Sequence, residues 1–256
     1  MLDYQQLLIK VKKWVREVGD LQLASLGNQQ LIDTKSTQAD LVTEVDKKSE
    51  EILINKIRKY YPEHSILAEE GGGSQEGSDY CWIIDPLDGT NNYAHGFPIF
   101  CISIALEQRG ETVLGVVYVP TLEQLYWARR GEGAFLNGDR LQVAGQEELG
   151  RALLATGFPY DKDSDPQNNV DNFAQLITQV RGIRRSGSAA FDLSQVASGV
   201  YDGFWELKLK KWDLAAGALL VQEAGGKVLT FENEKGINII AANQKMVKLL
   251  LAELNY

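Results

Sequence analysis

The chain is poor in the side chains that many enzymes recruit as nucleophile partners or soft-metal ligands. It has two histidines, His64 and His95, and two cysteines, Cys81 and Cys101, in 256 residues. Neither histidine stands beside a nucleophile motif, and no P-loop or Gly-x-Ser-x-Gly segment occurs, which excludes those two chemistries. The cysteines lack Cys-x-x-Cys spacing and lie in apolar runs, so they read as small core residues in a reducing compartment. No apolar run approaches the roughly 20 residues that span a bilayer. Asp3, Gln5 and Gln6 fall where a signal peptide has basic and then apolar residues, so the expected location is the cytoplasm. Positive charge is also short: 26 Lys and Arg against 35 Asp and Glu give a net charge of −9. That balance argues against a nucleic-acid or membrane partner, both of which reward clustered positive charge. An anionic ligand would have to be met locally, by bound cations.

What is present suits one large domain or two lobes sharing an interface. From Tyr4 to Leu26, Leu7, Leu8, Val11, Trp14, Val15, Val18 and Leu21 recur at helical spacing, and the bland reading is a helix packed on the protein's own core. Asp33 to Ala39 is polar and reads as a loop. A second helix is expected from Thr43 to Tyr61, with Pro62 after its end. Strand-like runs follow at Ser65 to Ala68, Tyr80 to Ile84, Ile99 to Glu107, Thr112 to Val119 and Gln124 to Ala128. Asn137-Gly138 supplies the positive φ of a tight turn. Residues 1–149 therefore read as an α+β lobe with an antiparallel sheet. In residues 150–256, runs at Ala152 to Thr156, Tyr201 to Glu206, Lys227 to Phe231 and Ile237 to Ala242 alternate with helical stretches. Those stretches are Asn168 to Val180, Ala189 to Ser198, Leu214 to Ala224 and Gln244 to Leu254, and the alternation suggests an α/β lobe.

The chemistry is concentrated in carboxylates. In Trp82-Ile83-Ile84-Asp85-Pro86-Leu87-Asp88-Gly89-Thr90-Asn91, an apolar strand ends at Asp85 and a second carboxylate follows across a turn shaped by Pro86 and Gly89. Such oxygen donors suit a hard cation like Mg²⁺, and the polar stretch from Gly89 could open a short helix whose amides face an anion. Glu69 and Glu70 follow a strand, Asp213 precedes an apolar helix where an N-cap is the bland reading, and Asp46 sits in a helix's first turn. Two carboxylates 4 Å apart repel by roughly 4 kcal/mol at an effective dielectric near 20. Several converging without a cation would burden a marginally stable fold, so the metal-free site should be loose or partly protonated.

Four segments join these residues: Asp40-Leu41-Val42-Thr43-Glu44-Val45-Asp46, Ala68-Glu69-Glu70, the Trp82 to Asn91 run, and Trp212-Asp213-Leu214-Ala215-Ala216-Gly217. In order and spacing they resemble the signatures of the inositol monophosphatase family, and Arg184-Arg185-Ser186-Gly187-Ser188-Ala189-Ala190 is similar to a further family stretch. The resemblance spans essentially the whole chain. It implies a five-layered αβαβα sandwich of the sugar-phosphatase type, a homodimer, sensitivity to lithium, and Mg²⁺ as cofactor at two or three ions per site. Carried onto this sequence, Glu69, Asp85, the Leu87 carbonyl, Asp88 and Asp213 would hold metal. Asp46 and Thr90, with Glu69, would orient and activate water, and the Gly89 and Thr90 amides would hold phosphate. Asp88, Ala189 and Glu206 would face the substrate, and Lys35, Arg184 and Arg185 are further candidates. The 1–149 lobe would carry most of the metal ligands, and the 150–256 lobe would bring Asp213 and the substrate contacts.

The activity implied is Mg²⁺-dependent hydrolysis of a small sugar or polyol phosphomonoester, myo-inositol monophosphate first. Alternatives are a fructose-1,6-bisphosphatase, a 3′-phosphoadenosine 5′-phosphate phosphatase and a histidinol-phosphate phosphatase. The basic run Lys208, Lys210 and Lys211, with Arg184 and Arg185, could accept a second phosphate or be solvated surface. A different class of answer is a non-catalytic regulatory protein that keeps the fold.

Overall fold

A computed structural model of the chain describes residues 2–27, 31–34, 41–71 and 77–255. The first helix, α1 (Tyr4–Ser25), buries Leu7, Leu8, Val11, Trp14, Val15 and Val18, and Asp3 caps it by accepting from the Gln5 and Gln6 amides. Two short antiparallel strands follow, β1 (Leu31–Thr34) and β2 (Leu41–Thr43), and then α2 (Glu44–Tyr60). The loop expected from Asp33 is corrected at its start, because Asp33 and Thr34 pair with Val42 and Leu41. A ladder is built from backbone groups, so polar side chains do not forbid it. Lys35 and Asp40 lie outside the described residues.

The next elements are β3 (Ser65–Ala68), β4 (Tyr80–Asp88), α3 (Thr90–Ala94), β5 (Cys101–Gln108), β6 (Glu111–Val119), β7 (Gln124–Arg129), β8 (Gly133–Leu136) and β9 (Asp139–Arg140). Their strands form a seven-stranded sheet in chain order. It is antiparallel except at β3–β4, whose partners are parallel. The second half runs β10 (Leu153–Thr156), α4 (Val170–Ile177), β11 (Gly182–Arg184), α5 (Ala189–Ala197), β12 (Gly203–Leu209), α6 (Lys211–Glu223), β13 (Lys227–Asn233), β14 (Gly236–Ala242) and α7 (Gln244–Glu253). A five-stranded sheet results, in the order β11-β10-β12-β14-β13.

Three apolar clusters define the layers. One packs α1 and α2 residues such as Val11, Trp14, Leu53 and Ile57 against Trp82, Ile104 and Val116 of the large sheet. A second lies between the sheets, where Leu193 of α5 and Leu219 of α6 meet Ile83 and Val117 on one side and Phe204 and Ile239 on the other. The third packs Leu176 of α4 and Met246 and Leu250 of α7 against Leu154, Trp205 and Ile240. The architecture is thus an αβαβα sandwich. Helix α6 is apolar on nearly every side, as a helix covered by two sheets must be. No helix among the described residues is long and apolar enough to cross a membrane.

Candidate active site

Strand β4 reads Trp82-Ile83-Ile84 because a central strand of a covered sheet is buried on both faces. At its end the pairing with β5 shifts register between Asp85 and Asp88. Pro86, which has no amide hydrogen to give a ladder, lies inside that irregularity. The bulge is closed locally, as Asp85 Oδ1 accepts the Leu87 amide at 3.0 Å. Gly89 follows at φ 97°, ψ 36°, and a Cβ there would stand 3.0 Å from the Ile99 carbonyl. Only glycine satisfies both the left-handed backbone and that close approach. The chain then enters α3 at Thr90, the short helix the sequence suggests.

Other elements aim at this turn. Asp46, in the first turn of α2, is wholly buried, and Thr90 Oγ1 donates to its Oδ1 at 2.8 Å. Thr90 Oγ1 also lies 3.1 Å from the Leu87 carbonyl. Glu69 follows β3, and the Glu50 carboxylate of α2 accepts the neighbouring Glu70 amide at 2.8 Å, fixing that turn. Asp213 is delivered by α6, whose N-terminus is pinned to β5 by the 2.7 Å Lys211–Glu107 ion pair and by Ser103 Oγ donating to the Trp212 carbonyl. The helix begins at Lys211, three residues from the expected Leu214. Asp213 is therefore the third helical residue and not the N-cap: its Oδ2 accepts the Lys210 amide at 2.6 Å. Asp88 Oδ2 accepts from Ser188 Oγ at 2.8 Å and from the Ala190 amide at 2.7 Å, so it caps α5 from across the interface.

Glu69, Asp85, Leu87, Asp88, Gly89, Thr90, Ala189, Glu206 and Asp213 line one cleft of about 610 Å³. Arg185 reaches the same cleft, whereas Arg184 is exposed and donates to the Ile183 carbonyl. Asp46 stands behind Thr90. The cleft wall is completed by the 156–161 segment, and a Cβ on Gly157 would lie 2.1 Å from Glu206 Oε1, so only glycine leaves room for that carboxyl.

Electrostatics match the crowding. Burial, and then the charges of Glu69, Asp88 and Asp213, push the Asp85 carboxyl well above its ordinary range. Burial raises Asp88 to about 6 against the pull of its Ser188 and Ala190 hydrogen bonds. Burial and the charges of Glu69 and Asp88 raise Asp213. Glu206 is pushed up to about 8 by burial, with Asp192 and Asp88 adding to it. A side-chain hydrogen bond with Glu69 adds to the rise of Asp85. Among the described residues no three His, Cys, Asp or Glu side chains stand in a ready metal-holding cluster. Asp88 and Asp213 are turned instead toward amide and hydroxyl donors of their own neighbourhood. The donor set nonetheless fits a hard divalent cation: it is all oxygen, and it converges on one cleft from the turn after β3, from β4 and from α6.

Several contributors were not evident from the sequence. Gln22, fully buried on α1, donates to the Pro86 carbonyl at 2.8 Å and supports the turn from behind, and Tyr93 holds the Gln22 carbonyl at 2.7 Å. A polar residue four after Val18 on an apolar helix face was the available signal. Cys101 is more than a core filler, since its thiol lies 3.7 Å from Asp88 Oδ2 and 3.4 Å from Ser188 Oγ. Asp192 lines the cleft although almost wholly buried, and its Oδ1 has no hydrogen-bond partner among the described residues.

The inositol monophosphatase family model matches residues 3–255. The chain belongs to the inositol monophosphatase family. Its similar relatives include a protein of Pseudomonas aeruginosa named Nus factor SuhB, 47% identical over 96% of this chain and 95% of that one. Another is an inositol-1-monophosphatase of Synechocystis, 44% identical over 80% of this chain and 72% of that one. Among solved structures, the inositol monophosphatase of Anabaena (Nostoc) superposes with a TM-score of 0.88 at 37% identity, covering 98% and 96% of the two chains. A further structure, described as an IMPase/NADP phosphatase complexed with Mg²⁺ and phosphate, gives a TM-score of 0.85 at 28% identity over 98% and 95%.

Proposed function

We propose that this chain is a Mg²⁺-dependent phosphatase of a small polyol phosphomonoester, with myo-inositol monophosphate the first candidate. The observation that carries this reading is the convergence of Glu69, Asp85, Asp88 and Asp213 on one cleft, each raising the affinity of its neighbours for positive charge. Those carboxylates and the Leu87 carbonyl would hold the metal, two or three ions per site. When bound, Mg²⁺ neutralises the cluster, lowers the pKa of a bound water and stabilises the leaving alkoxide.

The chain's own groups do the rest. Thr90 Oγ1 donates its hydrogen to Asp46 Oδ1, 2.8 Å away, so a lone pair on Oγ1 can accept a hydrogen bond from the attacking water. As the water's proton moves to Oγ1, the hydroxyl proton passes to Asp46, the base of the relay, with Glu69 on the water's other side. The Gly89 and Thr90 amides hold the phosphoryl oxygens, where negative charge develops. Asp88, the Ala189 backbone and Glu206 receive polyol hydroxyls, and Arg185 offsets the charge of Glu206 and Asp192. The assembly we infer is a homodimer, and the location the cytoplasm.

Phosphate release from inositol 1-phosphate, with Mg²⁺ and with chelator, tests the reading. A panel with fructose 1,6-bisphosphate, 3′-phosphoadenosine 5′-phosphate and histidinol phosphate ranks the substrates, and lithium is expected to inhibit. If chelation leaves both melting and turnover unchanged, the metal-site reading fails. The Pseudomonas relative's name supports a second reading, a role in transcription alongside or instead of catalysis. An Asp85→Asn variant separates the two: loss of turnover with intact transcriptional complementation favours the second.

A further inference from the structure

Of the basic run that follows Glu206, Lys208 and Lys211 are spent on carboxylates of the protein itself, while Lys210 stays exposed at the cleft. Strand β12 shifts register between Glu206 and Leu209, and within that irregularity Lys208 takes a left-handed backbone, φ 62°, with its amide held by Asn238 Oδ1 at 3.0 Å. This turns its ammonium to the cleft wall, where the side chain is only 6% exposed. The segment between β10 and α4 lies across it. Asp161 receives Lys208 Nζ through both oxygens, at 2.9 and 2.8 Å, and Asp165 Oδ2 lies 2.9 Å from the same nitrogen. An ammonium has three hydrogens, and three carboxylate oxygens surround this one. Lys235 is paired with Asp165 as well, and Lys211 is taken by Glu107. Burial lowers the Lys208 affinity for its proton, but Asp161 and Asp165 together outweigh that and hold it charged.

We infer that the Lys208–Asp161–Asp165–Lys235 network is a specificity determinant that refuses a second phosphoryl group on this wall of the cleft, an inference that rests on reading the cleft as a phosphomonoester site. A distal phosphate on this wall meets a Lys208 whose three hydrogens are already committed and a Lys235 already paired with Asp165, and it approaches Asp161 and Asp165, which repel it. A neutral sugar or polyol meets no such penalty beside Tyr160 and Phe158, which line the same wall. The substrate class is thereby narrowed to monophosphates.

Calorimetric dissociation constants for fructose 6-phosphate and fructose 1,6-bisphosphate, measured with Ca²⁺ in place of Mg²⁺, test this. The native chain should bind the two within threefold. The D161N/D165N variant, which frees Lys208 and Lys235, should favour the bisphosphate tenfold or more, and adding Lys208→Met should abolish that gain. A native preference for the bisphosphate above threefold overturns the inference, as does an unchanged ratio in a D161N/D165N variant that melts cooperatively. Should that variant not fold, the native ratio and its response to Lys208→Met decide. A ratio within threefold and unmoved supports the network's role, and one that Lys208→Met lowers makes Lys208 a phosphate ligand. Phosphate release from the monophosphate with Mg²⁺ is followed in parallel. Absence of turnover with the discrimination intact counts against the phosphatase reading alone, and turnover without discrimination counts against the network alone. If neither sugar phosphate binds, both fall.

Discussion

Replacing Asp88 by Asn should make the metal-free protein more stable at neutral pH, although it alters a residue assigned to metal. Burial lifts the Asp88 carboxyl from 3.8 to about 6. A group whose folded value exceeds its unfolded one imposes no penalty below the unfolded value and its full penalty above the folded one. By linkage the ionised carboxyl therefore destabilises the fold by about 1 kcal/mol at pH 4.5 and about 3 kcal/mol at pH 7.5. Asparagine keeps an acceptor for the Ser188 hydroxyl and the Ala190 amide but carries no charge. In chelator at pH 7.5 the variant should melt about 6–12 °C above the native chain, at roughly 2–4 °C per kcal/mol for a protein of this size. At pH 4.5 the gain should shrink to about a third. Saturating Mg²⁺ should reverse the order, because the native carboxylate then gains a counter-ion. Thermal melting by circular dichroism at the two pH values, with and without Mg²⁺, measures all three. A D88N variant no more stable than the native chain in chelator at pH 7.5, or a gain of equal size at both pH values, refutes the reasoning.

Thr90→Val removes the hydroxyl held by Asp46 and should cut turnover between about a hundredfold and ten-thousandfold, as loss of a proton-transfer group does. Thr90→Ser should restore most of it, and equal rates for both variants would remove Thr90 from catalysis. Gln22→Ala leaves the buried Pro86 carbonyl without its donor and should lower stability by about 1–3 kcal/mol in urea unfolding. It should also weaken Mg²⁺ binding measured by calorimetry, and unchanged affinity would show that the turn holds itself. Gly157→Ala puts a methyl 2.1 Å from the present place of Glu206 Oε1. It should raise KM for inositol 1-phosphate while turnover of p-nitrophenyl phosphate changes little, and an unmoved KM would take Glu206 out of polyol recognition.

The fold was legible wherever burial imposes a period. The face of α1 that buries Leu7, Val11, Trp14 and Val18 repeats at helical spacing, and Ser65–Ala68 is a strand at the bounds its pattern suggests. What escaped was short or lay at element ends. Strands β9 and β11 have only two and three residues, too few for alternation to be recognised, and β8 opens on Gly133 at φ 98°, which reads as a turn. Helix α6 starts three residues before the expected Leu214: the charged Lys211 and Asp213 interrupt the apolar pattern, while the actual N-terminus is set by tertiary contacts to Glu107 and Ser103 on β5. Helix boundaries belong to the cap and its neighbours more than to propensity.

The carboxylates were legible for a different reason from the groups that tune them. Asp85, Pro86, Asp88 and Gly89 act within one turn, so chain order nearly specifies their geometry, and the left-handed backbone at Gly89 already favours glycine before the Ile99 carbonyl closes on it. The Lys208 network has no such economy. Its partners are separated by 47 residues to Asp161, and Asp165 stands 70 residues from Lys235, so that each charge in isolation looks like solvated surface. Whether a lysine is an anion receptor or an internal counter-ion depends on which carboxylates the fold brings within 3 Å of it. Net charge and composition are blind to that distinction, since they are the same in either case. A basic run therefore tells which residues could bind a phosphate, and only the three-dimensional pairing tells which of them still have hydrogens to give.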